Sequence, residues 1–114
     1  MRKPVVPKLW IKLSFPQRAQ IGPGKIELLK RIEAEKSISA AARAMEMSYR
    51  RAWLLVDELN RLLPAPAVVT HVGGHGRGGA ELTDYGRKLV ASYERIVEDA
   101  GRACARKLGG LARP

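Results

Sequence analysis

A group of polar side chains marks the start of a helical segment predicted over residues 49–63. Ser48 can cap this helix, and Tyr49, Arg50 and Arg51 occupy its first turn. Exposed N–H groups at a helix start favour a phosphate, and an arginine there can donate two hydrogen bonds to guanine O6 and N7. The pattern predicts base contact by Arg50 and phosphate contact by Ser48 and Tyr49. For Arg50 and Arg51 the alternative is a solvated charged face.

Two further side chains belong to the same helical surface. With Ala52 at the centre of the buried face and a step of about 100° per residue, Leu54 points outward beside Arg50. Trp53 then lies on one shoulder, where it either contacts DNA or packs as an ordinary aromatic residue. Leu54 has no role in the core, and a contact with a thymine methyl group is one available to it.

A glycine-rich segment, GGHGRGG over residues 73–79, follows the predicted helices and contains five glycines. Glycine adopts positive φ without a steric penalty and lets the backbone approach a phosphate closely. His75 and Arg77 in this segment could then contact phosphates or a minor groove. The segment is therefore predicted to be the wing of a β-hairpin.

Other chemistries find no support in the sequence. The glycine-rich segment lacks a following Lys-Ser/Thr and a directly following helix, so a nucleotide phosphate loop is rejected. The spacing of His71, His75 and Cys104 does not suit a metal site, and no catalytic triad or carboxylate pair stands out. We expect no enzyme activity, no metal and no cofactor.

The charge of the chain points to a polyanionic partner. Its 114 residues carry a formal net charge of +10, with no acid before Glu27 and only basic charges after Asp99. Lysine and arginine displace counterions from phosphates, so this distribution suits nucleic acid. No membrane span or signal peptide is recognised, and a cytoplasmic location is expected.

The length and patterning predict one mainly α domain with a small β wing. The predicted elements follow in this order: a strand over 8–15, helices over 24–35, 39–45 and 49–63, strands Val68 to Val72 and Ala80 to Leu82, and a last helix over about 83–107. Ser37 or Ser39 can cap the second helix and Thr83 the last one. Residues 1–7 are expected to form a flexible basic arm, 8–108 the domain, and 109–114 a flexible tail.

Residues 37–61 form the central motif of this arrangement. A short alanine-rich helix, a break at Glu46-Met47 and a longer capped helix predict a helix-turn-helix. Small side chains at Ala41, Ala42 and Ala44 let the two helices approach closely. With the hairpin, this motif predicts a winged helix-turn-helix whose second helix enters a major groove.

The last helix has a wide apolar face, which predicts a homodimer. The residues expected at the dimer interface are Leu89, Tyr93, Ile96, Ala100 and Ala103. The alternative is that this face packs entirely within one protomer.

Two runs of sequence, SISAAARAMEMSYRRAW and GGHGRGGAELTDYG, resemble the N-terminal DNA-binding domain of the ModE-type molybdate-responsive transcriptional repressors. The serine- and alanine-rich helix alone would suggest only the broader LysR-like class. The resemblance covers about residues 8–105. It implies a long last helix that forms a dimer, a palindromic double-stranded DNA operator, and these DNA-facing positions: Ser39, Ser48, Tyr49, Arg50, Arg51 and the wing around Gly73 to Gly79.

The sequence departs from this family in two ways. Glu46 stands where the tight turn usually has glycine, and a left-handed backbone there would cost about 1 kcal/mol. The family's molybdate-binding portion follows the DNA-binding domain, whereas this chain ends at Pro114, so we expect no molybdate binding by this chain alone. Two hypotheses remain: a DNA-binding regulator, expected to be a repressor related to molybdate-transport control, or a module that pairs with a full-length regulator without contacting DNA.

Overall fold

The computed structural model describes residues 5–16, 19–72 and 78–113. Four helices and two small antiparallel sheets make up this part of the chain. In chain order the elements are β1 (Leu13–Ser14), β2 (Gln20–Ile21), α1 (Pro23–Glu35), α2 (Ile38–Ala44), α3 (Tyr49–Leu62), β3 (Val68–Val72), β4 (Gly78–Leu82) and α4 (Asp84–Leu111). The arrangement is the predicted winged helix-turn-helix with a long last helix.

Helix α1 lies at the centre of the core. Pro23 starts it with a φ suited to the first helical position. Four of its side chains are buried, and they recur at helical spacing: Ile26, Leu28, Leu29 and Ile32. The helix ends at Lys36, whose left-handed backbone (φ 55°) lets its N–H donate to the Ile32 carbonyl.

The helix-turn-helix follows directly. Ser37 caps α2 by accepting a hydrogen bond from the Ala40 N–H (3.1 Å). The turn between α2 and α3 depends on Glu46, which has a φ of 54°. Glu46 therefore adopts the left-handed backbone that usually favours glycine. Helix α3 then packs on the core through Ala52, Val56 and Leu59.

Strands β3 and β4 form the hairpin on which the wing is built. They pair antiparallel from Val68 opposite Leu82 to Val72 opposite Gly78. The Ala80 N–H also donates to the carbonyl of Lys36 (2.9 Å), which fixes β4 against the end of α1. The hairpin is thereby attached to the core beside the start of α2.

Helix α4 begins at a close contact with the chain before β3. The Thr83 hydroxyl accepts from the Gly86 N–H (3.0 Å) and donates to the Pro66 carbonyl (2.6 Å). A Cβ atom at Gly86 would overlap the Ala67 carbonyl oxygen, so glycine permits this approach. In the described residues, no helix is both long and apolar enough to cross a membrane.

Several predicted boundaries were wrong. The strand expected over 8–15 is limited to Leu13–Ser14, which pairs with Gln20–Ile21, a segment expected to be only a connection. Strand β4 begins two residues before the predicted Ala80 because Gly78 and Gly79 pair with β3. Helix α4 continues to Leu111, through three residues expected in the tail.

Candidate nucleic-acid interface

The N-terminal turn of α3 lies on the surface of the molecule. The Ser48 side chain caps the helix by accepting from the Arg51 N–H (3.0 Å), and its hydroxyl hydrogen stays available to an acceptor. Arg50 and Arg51 are exposed, whereas Ala52 on the opposite face is fully buried. The cap and the buried face together hold the two guanidinium groups outward.

Tyr49 and Trp53 lie one turn apart on the shoulder of α3. Their exposed fractions are 56% and 46%, so neither is a core residue. Both line a cleft of about 270 Å³ between the helix-turn-helix and the hairpin, to which Ser39 and His71 also contribute. Ser39 is half-buried and accepts a hydrogen bond from Arg43 (3.0 Å). Three of the predicted DNA-facing positions, Ser39, Tyr49 and Trp53, therefore line one cleft beside the turn that carries Arg50.

Predicted wing contacts fall on residues that the structure does not describe. His75 and Arg77 lie within residues 73–77, outside the described part of the chain. The adjoining ends of the hairpin, Val72 and Gly78, are both exposed. These ends lie on the strands that border the cleft beside α3.

The charge along α3 is unevenly distributed. Its two acidic side chains lie in the C-terminal half, where Asp57 pairs with Arg61 (3.1 Å) and Glu58 lies 3.8 Å from Lys25. Arg50 and Arg51 have no acidic partner among the described residues, and they occupy the end where the helix dipole is also positive. This end of α3 is therefore the part of the helix that best accommodates a phosphate or another anion.

Comparison with known proteins connects this geometry to a family. The chain is 47% identical over 72 residues to the molybdenum transport protein ModE of Azotobacter vinelandii, a match covering 63% of this chain and 27% of that protein. It is 35% identical over 91 residues to the DNA-binding transcriptional dual regulator ModE of Escherichia coli, covering 80% and 35% respectively. The molybdenum-pterin-binding protein MopB of Rhodobacter capsulatus is 46% identical over 78 residues, covering 68% and 29%.

This chain is a ModE-type winged-helix domain. It spans about a third or less of the length of these curated relatives. No protein-family model matches it. Among solved structures, the CbnR_DBD chain of a complex with DNA superposes with a TM-score of 0.57 at 23% identity, covering 79% of this chain and 97% of that one. That likeness supports the fold.

One residue that joins α3 to the hairpin of the ModE-type domain was not predicted. The Asn60 Oδ1 accepts from the N–H groups of Ala67 (2.8 Å) and Val68 (3.1 Å), and its Nδ2 donates to the Val68 carbonyl (2.9 Å). These hydrogen bonds fix the start of β3 relative to the C-terminal half of α3. The sequence signal was weak: one uncharged polar residue in the last turns of a helix that is followed by two prolines.

A cluster of charged side chains, also not predicted, joins α1, the hairpin and α4. The Glu33 carboxylate accepts hydrogen bonds from Lys36 (2.7 Å) and Arg87 (2.6 Å). The Glu81 carboxylate lies 3.0 Å from the His71 ring and forms an ion pair with Lys36 at 3.6 Å. The hydrogen bond from Lys36, aided by Arg87, lowers the pKa of Glu33 to about 2 despite partial desolvation. This charged cluster (Glu33, Lys36, His71, Glu81 and Arg87) helps to hold the wing hairpin in place.

The predicted dimer-interface residues of α4 fall into two groups. Leu89 and Tyr93 are buried within their own protomer, and the Tyr93 hydroxyl donates to the Ile11 carbonyl (2.7 Å). Burial also raises the pKa of Tyr93. Because their surfaces are already covered, the prediction that these two residues face a partner needs correction. Ile96 is 43% exposed, Ala103 is exposed and Ala100 is half-buried. The predicted dimer interface on α4 therefore narrows to these three residues.

Proposed function

We propose that this chain binds double-stranded DNA in a sequence-specific manner and regulates transcription. The observation that carries the proposal is the exposure of Arg50 and Arg51 at the capped N-terminal turn of α3, opposite a fully buried Ala52. A B-DNA major groove admits an α-helix, and helices of this motif enter it N-terminal end first. Helix α3 is then the recognition helix.

The neighbouring side chains have distinct roles in this proposal. Arg50 donates to the edge of a guanine, and Ser48 and Tyr49 donate to phosphates on either side of the groove. Arg51 contributes positive charge beside them. The cleft residues Ser39 and Trp53 contact the sugar-phosphate backbone.

The wing completes the contact in the same proposal. His75 and Arg77 contact phosphates or the adjacent minor groove, next to the major groove that holds α3. The hydrogen bonds of Asn60 support this role because they fix the start of β3 relative to α3, and the charged cluster fixes the hairpin relative to α1 and α4.

The biological role that we propose derives from the relatives. One is named a DNA-binding transcriptional dual regulator and another a molybdenum transport protein. We propose that this chain regulates molybdate-transport genes and that it does so by repression. We also propose that these 114 residues do not bind molybdate by themselves, since the matched region is about a third or less of each relative.

The chain is proposed to act as a homodimer on a palindromic operator. The exposed Ile96 and the neighbouring Ala100 and Ala103 support this assembly, since they form an apolar strip on α4 beyond the residues that the core covers. A two-fold dimer would present two α3 helices to successive major grooves of the same DNA face.

A second function follows from the same apolar strip. The domain could pair through α4 with a full-length regulator and not contact DNA itself. Both functions use α4, but only the DNA-binding function requires Arg50 and Arg51.

Selection of duplexes from a random pool with the purified 114-residue chain tests the proposal. We expect enrichment of an inverted repeat, with binding by fluorescence anisotropy that exceeds binding to a scrambled duplex by about a thousandfold or more and weakens steeply with salt. If no sequence is enriched and the chain nevertheless forms a complex with a ModE-type relative, the pairing function is the correct one.

A further inference from the structure

Leu54 is a large apolar side chain on the outward face of α3, and nothing in the fold requires it there. It is 49% exposed, although its neighbours Ala52 and Val56 are buried in the core. A solvent-facing leucine on a surface that otherwise presents charge gains little by hydrophobic burial within the protomer. The exposed part of Leu54 is therefore available for a contact with something outside the chain.

The surroundings of Leu54 define the shape and chemistry of that contact. Leu54 and Leu55 form the apolar part of a shallow cleft of about 320 Å³, and Ser48, Arg50 and Arg51 form its basic and polar rim. The acidic side chain at the far end, Glu58, lies 3.8 Å from Lys25, so its charge is partly balanced. The cleft thus combines an apolar floor with a rim that attracts anions.

We propose that Leu54 contacts the C5-methyl group of a thymine in the major groove and so acts as a specificity-determining residue of α3. Thymine is the base that places a methyl group on the major-groove edge, and apolar side chains are its usual protein contact. Arg50 lies one helical turn before Leu54, so a thymine under Leu54 lies next to the base contacted by Arg50. This inference rests on the proposed function, because it requires α3 to enter the groove.

Deoxyuridine substitution isolates the methyl group. Each thymine of the selected duplex is replaced in turn by deoxyuridine, which removes the methyl group and keeps the hydrogen-bonding groups of the base. We expect one thymine per half-site at which the loss of the methyl group weakens binding about fourfold, the factor for burying one such group. In the Leu54→Ala variant the thymine and uracil duplexes should bind equally at that position.

Two further variants serve as controls. Leu54→Met keeps a large apolar side chain and should retain the discrimination between thymine and uracil. Trp10→Ala removes another large exposed apolar side chain, before β1 and outside α3 and the proposed dimer strip, and should also retain it.

The inference and the proposed function can fail separately. If the chain binds its selected duplex but no thymine shows methyl dependence, or the dependence survives in Leu54→Ala, the inference about Leu54 is overturned and DNA binding stands. If no duplex is selected at all, the proposed function fails and the inference falls with it.

Discussion

Gly86 shows how one residue determines where α4 meets the rest of the domain. The backbone of Ala67 lies so close that a Cβ atom at Gly86 would overlap the Ala67 carbonyl oxygen. The same turn is fixed by Thr83, whose N–H donates to that carbonyl (2.9 Å). The start of α4 therefore has no space for a side chain at this position.

Replacing Gly86 with alanine should lower the free energy of unfolding by about 1–3 kcal/mol, because the backbone of one of the two segments must move. The control is Gly101→Ala in the same helix, where nothing beyond the local helix backbone lies within 4 Å of the added Cβ. That change should raise the stability by about 0.5–1 kcal/mol, since alanine favours helix more than glycine does. Urea denaturation followed by circular dichroism measures both, and equal effects of the two variants would contradict this account.

Residues whose role depends on local backbone chemistry were predictable from the sequence. The cap at Ser48 follows from the helix boundary and is confirmed. Asn60 and Gly86 were not predictable in the same way. Their roles depend on which distant backbone segment comes close, and no local pattern specifies that.

At the scale of secondary-structure elements, the charged cluster links α1, the β3–β4 hairpin and α4. Glu33 on α1 contacts Arg87 on α4 at 2.6 Å, and Glu81 on β4 contacts His71 on β3 at 3.0 Å. Lys36 lies between the two carboxylates, at 2.7 Å from Glu33 and 3.6 Å from Glu81. The cluster therefore couples the wing hairpin to the core through charge as well as through the β4 backbone.

This coupling predicts how stability depends on pH. The pKa of Glu33 is about 2 in the fold and about 4.5 ordinarily. The ionised Glu33 carboxylate therefore contributes its full stabilisation of the fold above about pH 4.5, and this stabilisation is lost as the pH falls towards 2. Glu33→Gln should lower the free energy of unfolding by about 1 kcal/mol at neutral pH, as expected for partly exposed ion pairs. As the pH falls, the free energy of unfolding of this variant should decrease less than that of the wild type. Chemical denaturation across pH 2–7 measures this.

The matched control is Glu27→Gln on the same helix. Glu27 accepts one hydrogen bond from Arg31 (2.9 Å) on its own helix and, within the described residues, pairs with no other element. Its pH profile should follow that of the wild type. Parallel profiles for wild type and Glu33→Gln would contradict the role given to the cluster.

The helices were more predictable from the sequence than the short strands. Helices α1 and α3 match their predicted ranges to within one residue, because their apolar periodicity and caps are local signals. The alternation over 8–15 predicted a strand of full length, yet a strand needs a partner, and among the described residues only Gln20–Ile21 supplies one. The short partner could not be recognised before the fold was known.

At the scale of the whole molecule, α4 gives the domain its elongated form. Its 28 residues span about 42 Å at the usual helical rise, and the described residues extend 59 Å along the longest axis. Its first turns pack on α1 and the hairpin, whereas Ile96 and later residues extend an apolar strip towards Leu111. This strip is where we propose the second protomer binds.

The wild-type chain should sediment as a dimer at low micromolar concentration, and Ile96→Asp should yield monomers because it places a charge in the apolar interface. The matched control is Ala91→Asp on the same helix, which lies in the groove beside Lys30 and Arg87 and away from the strip. That variant should stay dimeric. A wild-type chain that is monomeric both with and without DNA would refute the homodimer.

The central claim is that α3 recognises DNA sequence through Arg50. The decisive measurement is the affinity of wild type and Arg50→Ala for selected and scrambled duplexes over a salt series. Arg102→Ala serves as the control, since that arginine pairs with Glu98 and Asp99 on α4. Arg77→Ala tests a proposed contact with the DNA backbone. It should weaken binding to both duplexes about equally and lower the salt dependence of binding by about one unit.

For Arg50→Ala we predict a loss of about 1–3 kcal/mol on the selected duplex, with relaxed preference at one base pair per half-site and a much smaller loss on the scrambled duplex. Equal losses on both duplexes would make Arg50 a phosphate contact and contradict its role in base recognition. Unchanged binding to both duplexes would contradict the claim that α3 enters the groove.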